Sequence, residues 1–315
     1  MPESYTPKEI IDYINSHNKG PKFDPYGSEE LSNRLRTNKA EAGDIFAQAE
    51  HSIDEDNSID EDNAKLLTPE QKIAEAEAQI EAMRQWLVQK DFHPYVVDSI
   101  IQDLSVEYDV YTDQAVVYGN IDLSALTTAE GLTLPQNFGG NVILSSLSSA
   151  KGLNLPQTIG GDLGLYGLTT AVGLNLPQTI EGELRLNSLK TNESLILPKR
   201  IGKNLNLEEL YLAKDLDLSK TSIGGDVILN SLTYGDGLIF PQSFGGSLAL
   251  YGIEDASGIT FPQNVGGSID LGGLRYIDGL NLPLVIGGDL NLDDLSSKEK
   301  QKLRELRSDL ADKII

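Results

Sequence analysis

The chain has 315 residues, and its 25 Lys and Arg against 48 Asp and Glu give a formal charge of −23. A balance this negative argues against nucleic acid, whose phosphates demand Lys and Arg, and against anionic membrane surfaces. The absence of cysteine excludes disulfides, thiolate metal sites and a thiol nucleophile, and with 6 % aromatic residues any core must be aliphatic.

The N-terminus, Met1-Pro2-Glu3-Ser4-Tyr5-Thr6-Pro7-Lys8-Glu9, lacks the basic start and apolar run of a signal peptide. No stretch is apolar for long enough to span a bilayer. The expectation is a cytoplasmic chain without membrane insertion, with signal-less secretion left open. Thr6, Pro7 and Glu9 read as a helix start. Residues 1–50 carry two weak helical patterns, around Ile10, Ile11 and Ile14 and around Leu31, Leu35, Ile45 and Phe46, and are expected to form an N-terminal arm. Residues 51–67 read as an acidic linker built on the tandem hexapeptide Ser52-Ile53-Asp54-Glu55-Asp56-Asn57 and Ser58-Ile59-Asp60-Glu61-Asp62-Asn63. Clustered carboxylates suggest calcium, but in an EF-hand frame starting at Asp54 the turn glycine is Ile59 and the bidentate glutamate is Lys65. A solvated linker is the simpler reading, and no metal or cofactor is expected.

Over residues 68–109 the pattern predicts a helical hairpin that serves as an N-terminal cap. Thr68-Pro69-Glu70-Gln71 opens the first helix with a capping box. Ile73, Ala76, Ile80, Met83 and Leu87 come next on one face. His93-Pro94 then breaks the helix, and Val96, Val97, Ile100, Ile101 and Leu104 mark a second. Trp86, the only tryptophan, is expected to contact the core or cap.

Residues 110–295 are dominated by a repeat whose copies begin at Gly131, Gly152, Gly173, Ser194, Asp215, Gly237, Gly258 and Gly279. The step is 21 residues, with one of 22 from Asp215 to Gly237. A degenerate unit precedes them in Gly119-Asn120-Ile121-Asp122-Leu123. The generalised phrase is G-L-x-L-P-Q-x-I-G-G-D-L-x-L-x-x-L-x-x-A-x. Its two L-x-L pairs alternate as short strands do, Pro ends the first, and Gly-Gly permits a corner before the second. One copy cannot bury its aliphatic residues alone, so the copies must stack. The fold class is α+β: a helical N-terminal region, a parallel β-solenoid of ~21-residue repeats rising about 4.8 Å per coil, and a cap. Over residues 296–315, Ser296 and Glu299 form a capping box, and Leu303, Leu306, Leu310 and Ile314 share one helical face, predicting a C-terminal capping helix.

The phrase L-x-L-P-x-x-I, with a stretch like Leu168-Thr169-Thr170-Ala171 before it, resembles the leucine-rich repeats of the treponemal, bacterial surface-protein class. Two departures stand against it: the asparagine that ladders in many such repeats is missing from its usual place, and a second L-x-L strand replaces the convex side. A right-handed parallel β-helix is the alternative. The resemblance implies a protein-binding surface of the kind a bacterial effector or scaffold uses. The lack of cysteine removes the ubiquitin-ligase chemistry that accompanies some such effectors.

No motif for catalysis emerges. His17, His51 and His93 are unpaired in spacing, and P-loop, nucleophile-elbow and dinucleotide phrases are missing. The expected function is non-enzymatic protein–protein interaction through the solenoid face, with an identity of the partner that composition does not give. A cell-surface adhesion rod and an enzyme with its chemistry among His93, Asp98 and Glu107 are the alternatives. The polar row Asn120, Asn141, Asp162, Glu183, Asn204, Asp226, Ser247, Ser268 and Asp289 is expected to cap backbone at the Gly-Gly corners. Outward residues between the paired leucines vary from coil to coil, and the middle copies gather Arg185, Lys190, Lys199, Arg200, Lys203, Lys214 and Lys220. The candidate partner-binding residues are Tyr166, Arg185, Lys190, Lys203, Asn206 and Tyr251.

Overall fold

The computed structural model describes residues 67–315; the arm, most of the acidic linker, its calcium question, His17 and His51 lie outside them. Helix α1 (Pro69–Gln89) starts as its sequence dictates. The Thr68 hydroxyl accepts from the Gln71 N–H at 3.3 Å, and the Gln71 side chain accepts from the Thr68 N–H at 2.9 Å. Ala76, Met83 and Leu87 are buried, with Ile73, Ile80 and Trp86 packed beside them. Helix α2 (Pro94–Ile101) begins at His93, whose Nδ1 accepts from the Tyr95 N–H at 3.2 Å, and buries Val97 and Ile101.

Both expected helices are present, but the end of the segment read as a helical cap, residues 105–109, is strand. Residues 105–118 form an antiparallel β-hairpin, β1 (Ser105–Asp109) and β2 (Gln114–Tyr118). The turn is held by Asp109, which accepts from the Tyr111 N–H and the Thr112 hydroxyl, each at 2.9 Å. Val106 and Tyr108 alternate with polar residues in β1, and buried Ala115 and Val117 alternate with more exposed neighbours in β2, a period-two pattern that no helix can place on one face. Strand β2 then serves as the first rung of the solenoid, its Val117 pairing in parallel with Phe138.

Beyond it the chain coils with the period of the repeat. Nine two-residue strands stack in parallel register as one sheet: β3 (Ile121–Asp122), β5 (Val142–Ile143), β7 (Leu163–Gly164), β9 (Leu184–Arg185), β11 (Leu205–Asn206), β13 (Val227–Ile228), β15 (Leu248–Ala249), β17 (Ile269–Asp270) and β19 (Leu290–Asn291). The degenerate unit at Gly119 therefore supplies a full rung. The other strand of each coil lies where the residue pair before Gly-Gly falls. These are β4 (Asn137–Phe138), β6 (Thr158–Ile159), β8 (Thr179–Ile180), β10 (Arg200–Ile201) and β12 (Ser222–Ile223), which join β1 and β2 in a seven-stranded sheet. A separate three-stranded sheet continues the same side with β14 (Ser243–Phe244), β16 (Asn264–Val265) and β18 (Val285–Ile286).

This corrects the expectation that both L-x-L pairs are strands. The first contributes isolated bridges such as Thr133 to Asn154 and Ile239 to Thr260. The proline after it has no N–H, so the ladder cannot run on through that position. The Gly-Gly corner is demanded by close approach: a Cβ added at Gly140 would lie 1.7 Å from the Gly119 carbonyl oxygen. Every coil then turns back through tight bends, as where the Leu153 N–H donates to the Ala150 carbonyl at 3.1 Å. The residue opening the repeat takes positive φ at Gly131, Gly152, Gly173, Gly237 and Gly279, and also at Ser194 and Asp215.

The seam between these two sheets coincides with the 22-residue copy. That copy lacks the proline and places Ser219-Lys220-Thr221 where its neighbours place Pro-Gln, leaving Thr221 as the buried polar side chain among the described residues. The next two coils replace core leucines by Phe240 and Phe261, stacked at 6.2 Å. At this added residue β12 and β14 fall in separate sheets, whereas β13 and β15 remain paired on the other side.

The C-terminal cap also departs from a single helical face. Helix α3 (Ser297–Leu306) starts at Ser296, which accepts from the Glu299 N–H at 3.2 Å, and ends at Arg307. Leu303, Leu310 and Ile314 are buried over the last coil while Leu306 is exposed. The reason is that Arg307 leaves the helix to bind the carbonyls of Leu282 and Pro283 at 3.3 and 2.8 Å. The chain end then runs beside β19, with the Leu290 N–H on the Lys313 carbonyl at 2.8 Å and the Ile315 N–H on the Leu290 carbonyl at 3.0 Å.

Candidate functional site

The nine-stranded sheet presents its outward residues in register. The inward aliphatic residue of each strand fixes one side chain in the core, so its neighbour must face out. Just before each strand, the polar row forms a ladder of side-chain caps. The Asn141 N–H donates to Asn120 Oδ1 (2.9 Å), Asp162 to Asn141 (2.7 Å) and Glu183 to Asp162 (2.9 Å). It resumes with Asp226 to Asn204 (2.8 Å), Ser247 to Asp226 (2.7 Å), Ser268 to Ser247 Oγ and Asp289 to Ser268 Oγ (3.0 Å each). Short acceptors satisfy N–H groups that the corner removes from the sheet ladder. Glu183, one methylene longer, is drawn instead to Arg185.

Arg185 is the centre of the candidate residues. Its guanidinium lies 2.7 Å from Glu183, 3.3 Å from Asp162 and 5.9 Å from the centre of the Tyr166 ring. Burial works against its charge, but the hydrogen bond and negative charge of Glu183, with Tyr166 and Asp162, outweigh it and hold the guanidinium above its ordinary range. Lys203 reaches the same Asp162 at 3.9 Å. Tyr166 can lie along the sheet because β7 offers Gly164, where an added Cβ would stand 2.6 Å from the ring. Asn206 follows Arg185 in register on the next strand and accepts from the Glu208 N–H at 3.0 Å, an Asx turn repeated at Asp122, Asp270 and Asn291.

Tyr166, Arg185, Lys203 and Asn206 are thus contiguous. Lys190 is separate from them, in an ion pair with Glu209. Tyr251 lies further along the same sheet, half exposed over Gly272. The basic residues of the middle coils do not form a bare positive patch. Arg200 pairs with Glu181 at 3.0 Å, and Lys199 donates to Gln178 at 3.3 Å. Glu181 and Lys203 occupy positions that other coils give to Gly-Gly, so these pairs arise where the repeat departs from its own rule.

The sequence pattern did not signal two features. Tyr211, Leu212 and Tyr234 are exposed together on the turn after the nine-stranded sheet, with Leu212 bridged to Tyr234. A groove of about 360 Å³ also lies between α1 and the first coils, with Gln79, Gln114, Gln136, Asn137 and Gln157 among its lining. Its cation, Lys72, is committed to Asp113 at 2.7 Å. That hydrogen bond, followed by the one from Tyr108, holds the Asp113 carboxyl below the usual range, and the same bond to Asp113 pushes the Tyr108 hydroxyl up. His93 caps α2, Asp98 pairs with Arg84, and Glu107 lies on β1. Among the described residues no group of three or more His, Asp or Glu could hold a metal ion, and no helix is long and apolar enough to cross a membrane. Compared with known protein families, curated proteins and solved structures, the chain matches none.

Proposed function

We propose that this chain is a non-enzymatic protein-interaction module that engages a protein partner through the outward face of its nine-stranded sheet. The observation that carries this reading is the contiguity of Tyr166, Arg185, Lys203 and Asn206 on a rigid, in-register ladder. Folding asks for the caps in the polar row, but it does not ask for an aromatic ring and a guanidinium at adjacent outward positions. Tyr and Arg are the residue types that anchor interfaces, and here their conformational freedom is already spent on local contacts, which reduces the cost of docking. The charge of −23 speaks for protein rather than nucleic acid. Within this reading the coils stand closest in phrase to leucine-rich repeats of the treponemal, bacterial surface-protein class, and the location is cytoplasmic.

The test is affinity capture with the full chain beside the variant Tyr166→Ser, Arg185→Ser, Asn206→Ser, Tyr251→Ser. All four are outward positions where neighbouring coils already carry small or polar residues. Loss of the captured protein with the variant supports the face. Equal capture by both chains would remove it from the interface.

A further inference from the structure

The two ends of a solenoid expose backbone that the next coil would have bonded. At the C-terminal end the cap seals this rim in three places. The chain end pairs with β19. The Arg307 guanidinium covers the carbonyls of Leu282 and Pro283, and the Lys313 ammonium covers those of Gly287 and Gly288 at 3.2 and 3.3 Å. The fourth place, β18, pairs with β16 alone and has no strand on its other edge among the described residues.

The residues at that one open place are also out of pattern. Where earlier coils carry Gln157-Thr158, Gln178-Thr179, Gln242-Ser243 and Gln263-Asn264, the last coil carries Leu284-Val285, 68 % and 54 % exposed. An apolar pair beside an unpaired edge is the feature natural sheets avoid unless something covers it.

The opposite end of the same side offers a complement. Strand β1 begins the seven-stranded sheet, pairs among the described residues with β2 alone, and leads into Val110 and Tyr111, 71 % and 91 % exposed. The ends differ in charge as well. Residues 67–118 hold ten Asp and Glu against three Lys and Arg, while residues 296–315 hold six Lys and Arg against four Asp and Glu, a positive stretch in a chain of −23.

We infer that the chain associates head to tail with a second copy of itself, β18 of one copy pairing antiparallel with β1 of the next. Leu284 and Val285 would lie against the β1 hairpin, and the basic cap against the acidic end. This contact joins two different surfaces, so it does not close on itself and generates a series of growing species. It leaves the nine-stranded face free and stands independently of what that face binds.

Sedimentation velocity of the full chain over a concentration series tests it. The expected result is a mass that rises steadily with protein concentration and falls with added salt. The variant Leu284→Gln, Val285→Ser restores the phrase of Gln242-Ser243 and should keep the fold, checked by its circular dichroism, while weakening association at least about tenfold. Lys298→Glu with Lys300→Glu should weaken it too. A wild-type chain that remains monomeric throughout, a dimer that stops growing, or association unchanged in Leu284→Gln, Val285→Ser would each overturn the inference.

Discussion

Replacing Asp162 separates the part of the polar row that folds the chain from the part available to a partner. Its Oδ1 accepts from the Glu183 N–H at 2.9 Å, and its carboxylate also faces Arg185 and Lys203. The side chain is 20 % exposed, so the amide of Glu183 has poor access to water once the acceptor is gone. Asp162→Ala therefore orphans a partly buried donor, at about 1–3 kcal/mol. It also removes ion pairs in a half-screened setting, at about 0.2–1 kcal/mol. The total is roughly 1.2–4 kcal/mol. Asp162→Asn keeps the acceptor and loses the charge, so it should cost less than about 1 kcal/mol. Hydrogen exchange at the Glu183 amide reads the local effect where a repeat array need not unfold as one unit. Protection there should fall about tenfold or more in Asp162→Ala and little in Asp162→Asn. Equal losses in the two variants would show that charge, not the cap, matters, and would refute the ladder as a folding device.

Other expectations rest on single contacts. Gly173 has φ +79°, and an added Cβ would meet only ordinary van der Waals contacts, the nearest at 3.7 Å, so Gly173→Ala should cost about 1 kcal/mol, while Ser194→Gly at φ +62° should stabilise by about 0.5–1 kcal/mol in denaturant titrations. Thr68→Ala removes the α1 capping box and should cost about 1 kcal/mol of local stability. Trp86, packed at Gly131, reports this loss through its fluorescence. Asp113 titrates below its ordinary range because of Lys72 and then Tyr108. The stability it lends is present above the unfolded carboxylate value and is lost as pH falls through the depressed folded one. Asp113→Asn should flatten that acid limb in pH-dependent melting, and an unchanged limb would assign it to other carboxylates.

The legible and illegible parts of this fold divide by range. The 21-residue period, the rung hidden in Gly119–Leu123 and the caps at Thr68, His93 and Ser296 are local in sequence and are readable there. The strand beside Gly-Gly is not, because the phrase x-I carries no alternation of its own, whereas L-x-L does so in two places. The effect of Pro on the ladder decides between them. The β1–β2 hairpin is concealed by the helical spacing that runs up to Leu104, although Val106 and Tyr108 already alternate. The basic residues of the middle coils mislead for a spatial reason: Arg185 and Lys203 meet Asp162, and Lys190 meets Glu209, across a coil boundary. A polar row whose spacing equals the coil period is identifiable as a cap. An apolar pair at the last coil gains meaning only once the cap is seen to leave that edge uncovered.

The central claim is that nine strands stack in register, so that Tyr166, Arg185 and Asn206 belong to one continuous ladder. The chain has no cysteine, so spin labels report only where one is introduced. Labels at Asp122→Cys and Asn206→Cys span four inter-strand steps, about 19 Å, and labels at Asp122→Cys and Asn291→Cys span eight, about 38 Å. Dipolar distance measurements should return two narrow distributions in a ratio near two. Equal distances in the two pairs, or broad distributions for either, would contradict the stacked ladder on which the interaction face depends.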